Sequence, residues 1–171
     1  QATSGPFGEA IGWHTTDDGA FVLSEPTGAP TWYPVNDHPL DKASYHFRIT
    51  VPAGLEVIAN GMFIDSVDAG DGWTTWVYDA PSEMASYLAL VAIGNFIFEE
   101  MRTDSGLLIR NAYDESFATD ASQNFERTPQ MIDFFEGLFG PYPFEVYGAA
   151  VLDFIGAHSA AQYDNGLCRV A

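Results

Sequence analysis

The fold class follows from one stretch of sequence, Ala43-Ser44-Tyr45-His46-Phe47-Arg48-Ile49-Thr50-Val51, which Pro52 follows. Aromatic and branched apolar residues alternate here with polar ones, which is the period of a strand with one buried face. Proline cannot donate a backbone hydrogen bond to a sheet, so the strand is expected to end at Pro52. The stretch predicts a half-buried strand in a mainly β protein.

Further strand-like segments lie on both sides of this stretch, separated by glycine, proline and aspartate. They are Ile11–Thr15, Ala20–Ser24, Glu56–Ala59, Met62–Val67, Trp73–Tyr78 and Ser86–Glu99, the last broken only by Gly94-Asn95. Short strands broken by turn residues are typical of antiparallel sheets. We therefore expect residues 1–105 to form part of an antiparallel β-sandwich or β-saddle domain.

The pattern changes after Gly106. A strand at Leu107–Tyr113 precedes helical spacing of apolar residues over Thr119–Leu138, and a further strand follows at Val146–Ile155. We expect Pro129 to kink or restart the helix with Thr128 as N-cap, and the apolar stripe of the helix to be core. Residues 106–171 are therefore predicted to start an α/β domain with a β-α-β unit.

Composition excludes several classes of partner. The chain of 171 residues has 24 Asp and Glu against 6 Lys and Arg, a formal net charge of −18. Such a surface repels nucleic acid and anionic membranes, so neither is an expected partner. With 47% hydrophobic residues the chain is too apolar for a disordered tail. The sequence is compatible with a secreted and with a cytoplasmic location. The single Cys168 excludes an intramolecular disulfide.

Two short motifs are candidates for catalysis. Asp37 precedes His38 and could orient its ring for acid–base chemistry, although a loop held by the neighbouring prolines explains the motif more simply. Ser159 follows His158 in Ala157-His158-Ser159-Ala160-Ala161, which has the small flanking residues of a nucleophile elbow. No histidine follows Ser159, so an ordinary loop is the favoured interpretation of this motif.

Candidates for a metal site are also few. Asp68 and Asp71 lie beside flexible glycines and could offer oxygen ligands to calcium, but a hairpin turn is the favoured interpretation. The chain has four histidines, and none belongs to a His-Glu-x-x-His zinc motif. We therefore expect no bound cofactor in this chain, with calcium as the alternative.

Four segments, in order, resemble the aminopeptidase N family of zinc metallopeptidases. The first contains the aromatic-Pro pair Tyr33-Pro34, then Asp37-His38-Pro39, then the basic-Ala pair Lys42-Ala43 and the alternating strand. The second begins with Met84-Ala85-Ser86-Tyr87-Leu88 and ends with Gly94-Asn95-Phe96. The third is Leu108-Ile109-Arg110-Asn111-Ala112-Tyr113, and the fourth is the helix end and Tyr-Pro turn at Phe134–Phe144. Together they span roughly residues 20–154.

This resemblance implies the later part of an N-terminal saddle domain and the start of a thermolysin-like domain, ending before the zinc-binding helix. Zinc is accordingly expected only in a full-length family member. The family next has a Gly-Ala-Met-Glu-Asn-type strand whose glutamate binds the substrate amine; here only Asp164 stands near, as a loose positional substitute. We expect a truncated or excised product.

The leading hypothesis is a noncatalytic, structural part of an aminopeptidase-like protein that helps to shape the substrate cleft. A small standalone hydrolase, an esterase or lactonase with or without calcium, is one alternative. The other is a binding module that forms a homo-oligomer through an unpaired sheet edge.

Overall fold

The computed structural model describes residues 3–4, 10–116, 118–152 and 167–170, which form mainly antiparallel β-structure. The strands are β1 (Thr3–Ser4), β2 (Ala10–Thr15), β3 (Ala20–Leu23), β4 (Ala43–Pro52), β5 (Glu56–Ala59), β6 (Met62–Gly70), β7 (Trp73–Met84), β8 (Val91–Gly94), β9 (Phe96–Arg102), β10 (Leu108–Asp114), β11 (Val146–Tyr147), β12 (Ala149–Leu152) and β13 (Leu167–Val170). The helices are α1 (Ala118–Phe125) and α2 (Thr128–Phe139). This arrangement confirms the predicted fold class.

The strands form three sheets. The first has the order β1-β2-β3-β8-β5, and the second, of long strands, has the order β4-β7-β6. In the third, β10 pairs with β9 in antiparallel fashion and with β11 and β12 in parallel fashion, and β13 adds to β12. The parallel pairing across α1 and α2 confirms the predicted β-α-β unit.

The first sheet lies between the other two, and its strand β3 is buried on both faces. On β3, Phe21 joins a core cluster that contains Ala112 and Ala150 of the third sheet. The next residue, Val22, joins a cluster that contains Phe47 and Tyr78 of the second sheet. Successive side chains of a strand point to opposite faces, so β3 must be apolar throughout, whereas the one-sided β4 alternates.

One sequence prediction about a strand needs correction. The segment Ser86–Glu99 is interrupted at Gly94-Asn95 as expected, but its first residues are not strand, because a 3-10 turn at Ser86–Leu88 precedes β8. The adjacent strands β5 and β6 do not pair with each other: β5 pairs with β8, and β6 with β7. The buried Asn60 directs this change of sheet, since its side chain bonds the backbone of both Leu88 and Leu90.

The helical region differs from its prediction in two respects. Pro129 lies in the first turn of α2 and separates it from α1, and the N-cap is Arg127, one residue before the predicted Thr128. The apolar stripe of α2 is not core: Thr128 and Ile132 are its buried residues in the described structure. The apolar residues of α2 do lie on one face of the helix, but no described residue covers that face.

The predicted division of the chain at residue 105 falls in the turn between β9 and β10. These strands pair over seven residues, from Phe96↔Asp114 to Arg102↔Leu108. The division into a saddle domain and an α/β domain stays a prediction, as does self-association through a sheet edge. Neither described helix is long and apolar enough to cross a membrane.

Gly61, in the turn between β5 and β6, offers a test of the sheet arrangement. Its φ is +86°, and an added Cβ would lie 2.2 Å from the carbonyl oxygen of Asp79. We expect Gly61→Ala to lower the free energy of unfolding by about 2 kcal/mol or more. The matched control, Gly106→Ala, has a φ of +94° but open space around it, and it should cost about 1 kcal/mol. Equal losses for both variants in urea titrations would contradict this packing.

Candidate functional site

A cavity of about 260 Å³ lies where the three sheets meet. Its walls come from β5, β7, β9, β10 and β12, and from the segment that enters β11. Most of the lining is apolar or aromatic, including Ile58, Phe98, Ala112, Phe144 and Ala150. Because regular strands form most of the wall, the cavity is built into the fold.

The cationic group in this cavity wall is Arg110 of β10. Its guanidinium carbon lies 4.5 Å from the ring centre of Phe63 and 4.4 Å from that of Phe98, within cation–π range. Its side chain is 16% exposed, and Nη1 lies 3.8 Å from Oε1 of the exposed Glu100. In the described part of the chain, the buried Nε has no hydrogen-bond partner. The sequence identified Arg110 only as part of the third family-like segment. The feature that could have pointed to it is that it is the one cationic residue of β10.

A chain of buried hydrogen bonds fixes the strand that carries Arg110. The Asn111 side chain accepts a bond from the backbone N–H of Ala149 at 3.1 Å and donates to the hydroxyl of Tyr113 at 2.9 Å. Tyr113 donates in turn to Glu99 at 2.8 Å, and Glu99 accepts from Ser122 of α1 at 2.6 Å. The chain joins β9, β10, β12 and α1, so the backbone on this side of the cavity is held in place.

Two tyrosines of the cavity wall have perturbed acidities. Burial raises the pKa of Tyr78 to about 12, against the lowering effect of the Arg110 charge, and its hydroxyl donates to the carbonyl of Val57 at 2.6 Å. Burial also raises the pKa of Tyr142 to about 12, with Tyr147 adding to the shift. The backbone N–H of Tyr142 bonds Glu136, lowers the pKa of that carboxyl and fixes the turn after α2. Both tyrosines are therefore neutral near pH 7.

The structure places Asp37 and His38 in a loop, with separate partners. Asp37 accepts a short hydrogen bond from the hydroxyl of the buried Ser86. His38 is exposed, and its Nδ1 accepts the backbone N–H of Leu40 at 3.2 Å. Asp37 thus accepts from a side-chain hydroxyl, where a backbone N–H donor was expected, and the acid–base role of the pair stays a prediction.

The described residues offer no group of three or more His, Cys, Asp or Glu side chains that could hold a metal ion. Asp68, a calcium candidate, lies near the end of β6 and accepts the backbone N–H of Gly70 at 2.8 Å. Asp71 lies in the β6–β7 turn with a φ of 53°. The calcium prediction is unsupported, because both carboxylates belong to this β-hairpin and to no ligand cluster among the described residues.

The described histidines do not fit a zinc site either. His14 is buried and stacks on Phe21, and His46 lies in an exposed pair with Asp79, 3.4 Å apart. The remaining candidates, His158, Ser159 and Asp164, lie outside the described residues.

A second feature is the exposed apolar face of α2. Five large side chains on it are 51–81% exposed: Met131, Phe134, Phe135, Leu138 and Phe139. The rings of Phe134 and Phe135 meet edge to face at 5.6 Å, and those of Phe135 and Phe139 stack at 6.2 Å. A groove of about 680 Å³ runs beside them and is lined in part by Met131, Phe135 and Phe139. Such a continuous patch is characteristic of an interaction surface.

Comparison with known proteins identifies relatives of this chain. Residues 18–88 match the Peptidase M1 N-terminal domain family. Glutamyl aminopeptidase of Bitis rhinoceros is 26% identical over 140 residues, which cover 77% of this chain and 15% of that protein. Leucyl aminopeptidase of Saccharolobus solfataricus is 34% identical over 87 residues, which cover 49% of this chain and 11% of that protein.

Solved structures give the same result. An M1 zinc metallopeptidase from Deinococcus radiodurans superposes with a TM-score of 0.79 and 28% identity, covering 90% of this chain and 36% of that one. A two-domain M1 zinc metallopeptidase bound to L-arginine superposes with a TM-score of 0.82 and 26% identity, covering 91% of this chain and 37% of that one. The similarity thus runs through nearly all of this chain and over about a third of each solved chain.

The buried tyrosines predict a loss of stability in alkali. The ordinary tyrosine pKa is 10.0, and Tyr78 and Tyr142 reach about 12 in the folded state. Above pH 10 the unfolded chain releases these protons while the folded chain retains them, so unfolding is favoured as pH rises. Stability to urea should therefore be fully present below about pH 10 and fall between about pH 10 and 12. Tyr142→Phe should show a smaller fall; an unchanged midpoint from pH 9 to 11.5 in the wild type would contradict the burial of these hydroxyls.

Proposed function

Because the chain is related to the aminopeptidase N family of zinc metallopeptidases, we propose that it serves as a noncatalytic structural part of such an enzyme. Its β-sheets and its β-α-β unit support a catalytic domain and help to shape the substrate cleft. The residues that bind zinc and cleave the substrate are supplied by polypeptide that this chain does not include.

The donor groups of the chain support this proposal. The sequence contains no His-Glu-x-x-His motif, the arrangement that places two zinc ligands and a general base on one helix face. A catalytic zinc site needs three protein ligands, and the described residues offer no cluster of that size. The residues that the structure describes therefore do not fit the zinc that the solved metallopeptidases are named for.

The main observation in support of this structural role is the exposed apolar face of α2. Fully burying a large apolar side chain stabilises a protein by about 1.5–3 kcal/mol, so five such side chains on one face favour burial strongly. The matching solved chains extend well beyond the part that this chain covers, at 36–37% of their length. We take the catalytic polypeptide to be the occupant of this face.

The first test measures metal and activity. We expect the purified chain to retain no stoichiometric zinc after dialysis in buffer containing zinc and to release no chromophore from aminoacyl-nitroanilide substrates. Zinc content is read by mass spectrometry, and the Deinococcus radiodurans metallopeptidase is the positive control in both measurements. Stoichiometric zinc together with cleavage that a chelator abolishes would disprove the proposed role.

The second test compares exposed and buried positions on α2. Phe139 is 81% exposed and Ile132 is 8% exposed. We expect Phe139→Ala to change the free energy of unfolding by less than about 0.5 kcal/mol, and Ile132→Ala to lower it by about 2 kcal/mol or more. Phe139→Ala should also reduce binding of the apolar dye ANS to the folded chain. A loss of stability for Phe139→Ala as large as for Ile132→Ala would show that the chain itself covers this face.

Light scattering on the same variants identifies a competing occupant. If a second copy of the chain covered α2, the wild type would be a dimer and Phe139→Ala a monomer. The proposed catalytic occupant predicts a wild type that stays monomeric as its concentration rises, because a net charge of −18 opposes self-association.

A further inference from the structure

The cavity where the three sheets meet contains a cation whose hydrogen-bonding capacity is largely unused. The Arg110 guanidinium has five N–H donors and cannot be neutralised at physiological pH. Within the described part of the chain, its recorded polar contact is the 3.8 Å approach of Glu100, and Nε is buried without a partner. A buried donor left without an acceptor lowers stability, and a charged one lowers it more. An acceptor in the cavity would remove this cost.

The existing neighbours of Arg110 leave room for such an acceptor. The carboxylate of Glu100 belongs to a side chain that is 56% exposed, and ion pairs with so exposed a partner are weak because water screens them. The rings of Phe63 and Phe98 attract the guanidinium charge but accept no ordinary hydrogen bond from its N–H groups. A carboxylate would match the planar donors of the guanidinium in geometry as well as in charge.

The rest of the cavity defines the other end of the ligand. Ile58, Phe98, Ala112, Val146 and Ala150 supply apolar surface. Two polar groups in the wall are already engaged: Tyr78 donates to Val57, and Glu145 accepts the hydroxyl of Ser82 at 2.6 Å. The negative charge of Glu145 disfavours a ligand with more than one negative charge. With a volume of about 260 Å³, the cavity lies just below the usual range of about 300–1,000 Å³ for ligand pockets.

We propose that this cavity binds a monocarboxylate with a short apolar tail, its carboxylate on the Arg110 guanidinium and its tail against the apolar walls. The cavity wall contains no residue of α2, although it shares Tyr142 and Tyr147 with the groove beside that helix, and the site does not depend on the proposed structural role. Nearby Trp76 lies 6.3 Å from the ring of Phe98 and 5.5 Å from that of Phe63, so its fluorescence should report occupancy.

The test titrates the whole chain with three probes of equal length: octanoate, octanol and octylammonium. Calorimetry should show saturable binding of one octanoate per chain, with octanol at least about tenfold weaker and octylammonium weaker still. Trp76 fluorescence should change with octanoate over the same concentration range. Octanol binding as tightly as octanoate, or no saturable binding of octanoate, would overturn the proposal without any mutation.

Two pairs of variants locate the site. Arg110→Gln should weaken octanoate binding at least about tenfold, whereas Arg48→Gln, at an exposed position on β4, should bind as the wild type does. If Arg110→Gln fails to fold, Val146→Phe narrows the cavity and should also abolish binding, with the exposed Val67→Phe as its control. Octanoate that binds Val146→Phe as it binds the wild type would lie elsewhere, such as on α2, and would overturn the assignment.

Discussion

The pairing of β9 with β10 is the constraint on which the arrangement of this molecule depends. Seven residue pairs join β9, which follows the first sheet's strand β8, to β10, the first strand of the β-α-β unit. Phe96 of β9 packs in the same core cluster as Phe21 of the first sheet and Ala150 of the third. The hairpin therefore does two things: it extends the third sheet by one strand, and it presses that sheet against the first. The cavity, the position of Arg110 and the exposed direction of α2 all follow from this docking.

Local sequence patterns predicted much of the β-structure for a definite physical reason. The strand β4 is exposed on one side, so its alternation of Tyr45, Phe47 and Ile49 with polar residues could be read directly. The strands β3 and β8 are buried on both sides, and their continuous apolar runs indicate a strand without indicating its partners. Local patterns do not assign strands to sheets: the change of sheet between β5 and β6 depends on Asn60 and its two backbone partners, Leu88 and Leu90, far along the chain.

The candidate sites show the same division between local and distant information. The stripe on α2 has the spacing of a core helix, but spacing cannot tell whether the covering surface is present in the same chain. Arg110 follows the apolar pair Leu108-Ile109 in β10, and its environment comes from Phe63 of β6 and Phe98 of β9, whose approach the local sequence does not show. The family resemblance carried the functional assignment further than any single motif did, since Asp37, His38, Asp68 and Asp71 all have ordinary roles in loops and turns.

Native-state hydrogen exchange of the β10 amides tests this account most directly. If the β9–β10 pairing joins the sheets into one folding unit, the amides of Ile109 and Ala112 should exchange through the same global opening as those of Val57 and Ala92 in the first sheet. Their opening free energies should agree and fall together as denaturant is added. Exchange of the β10 amides through a separate opening of lower free energy, with the first sheet still protected, would contradict the account.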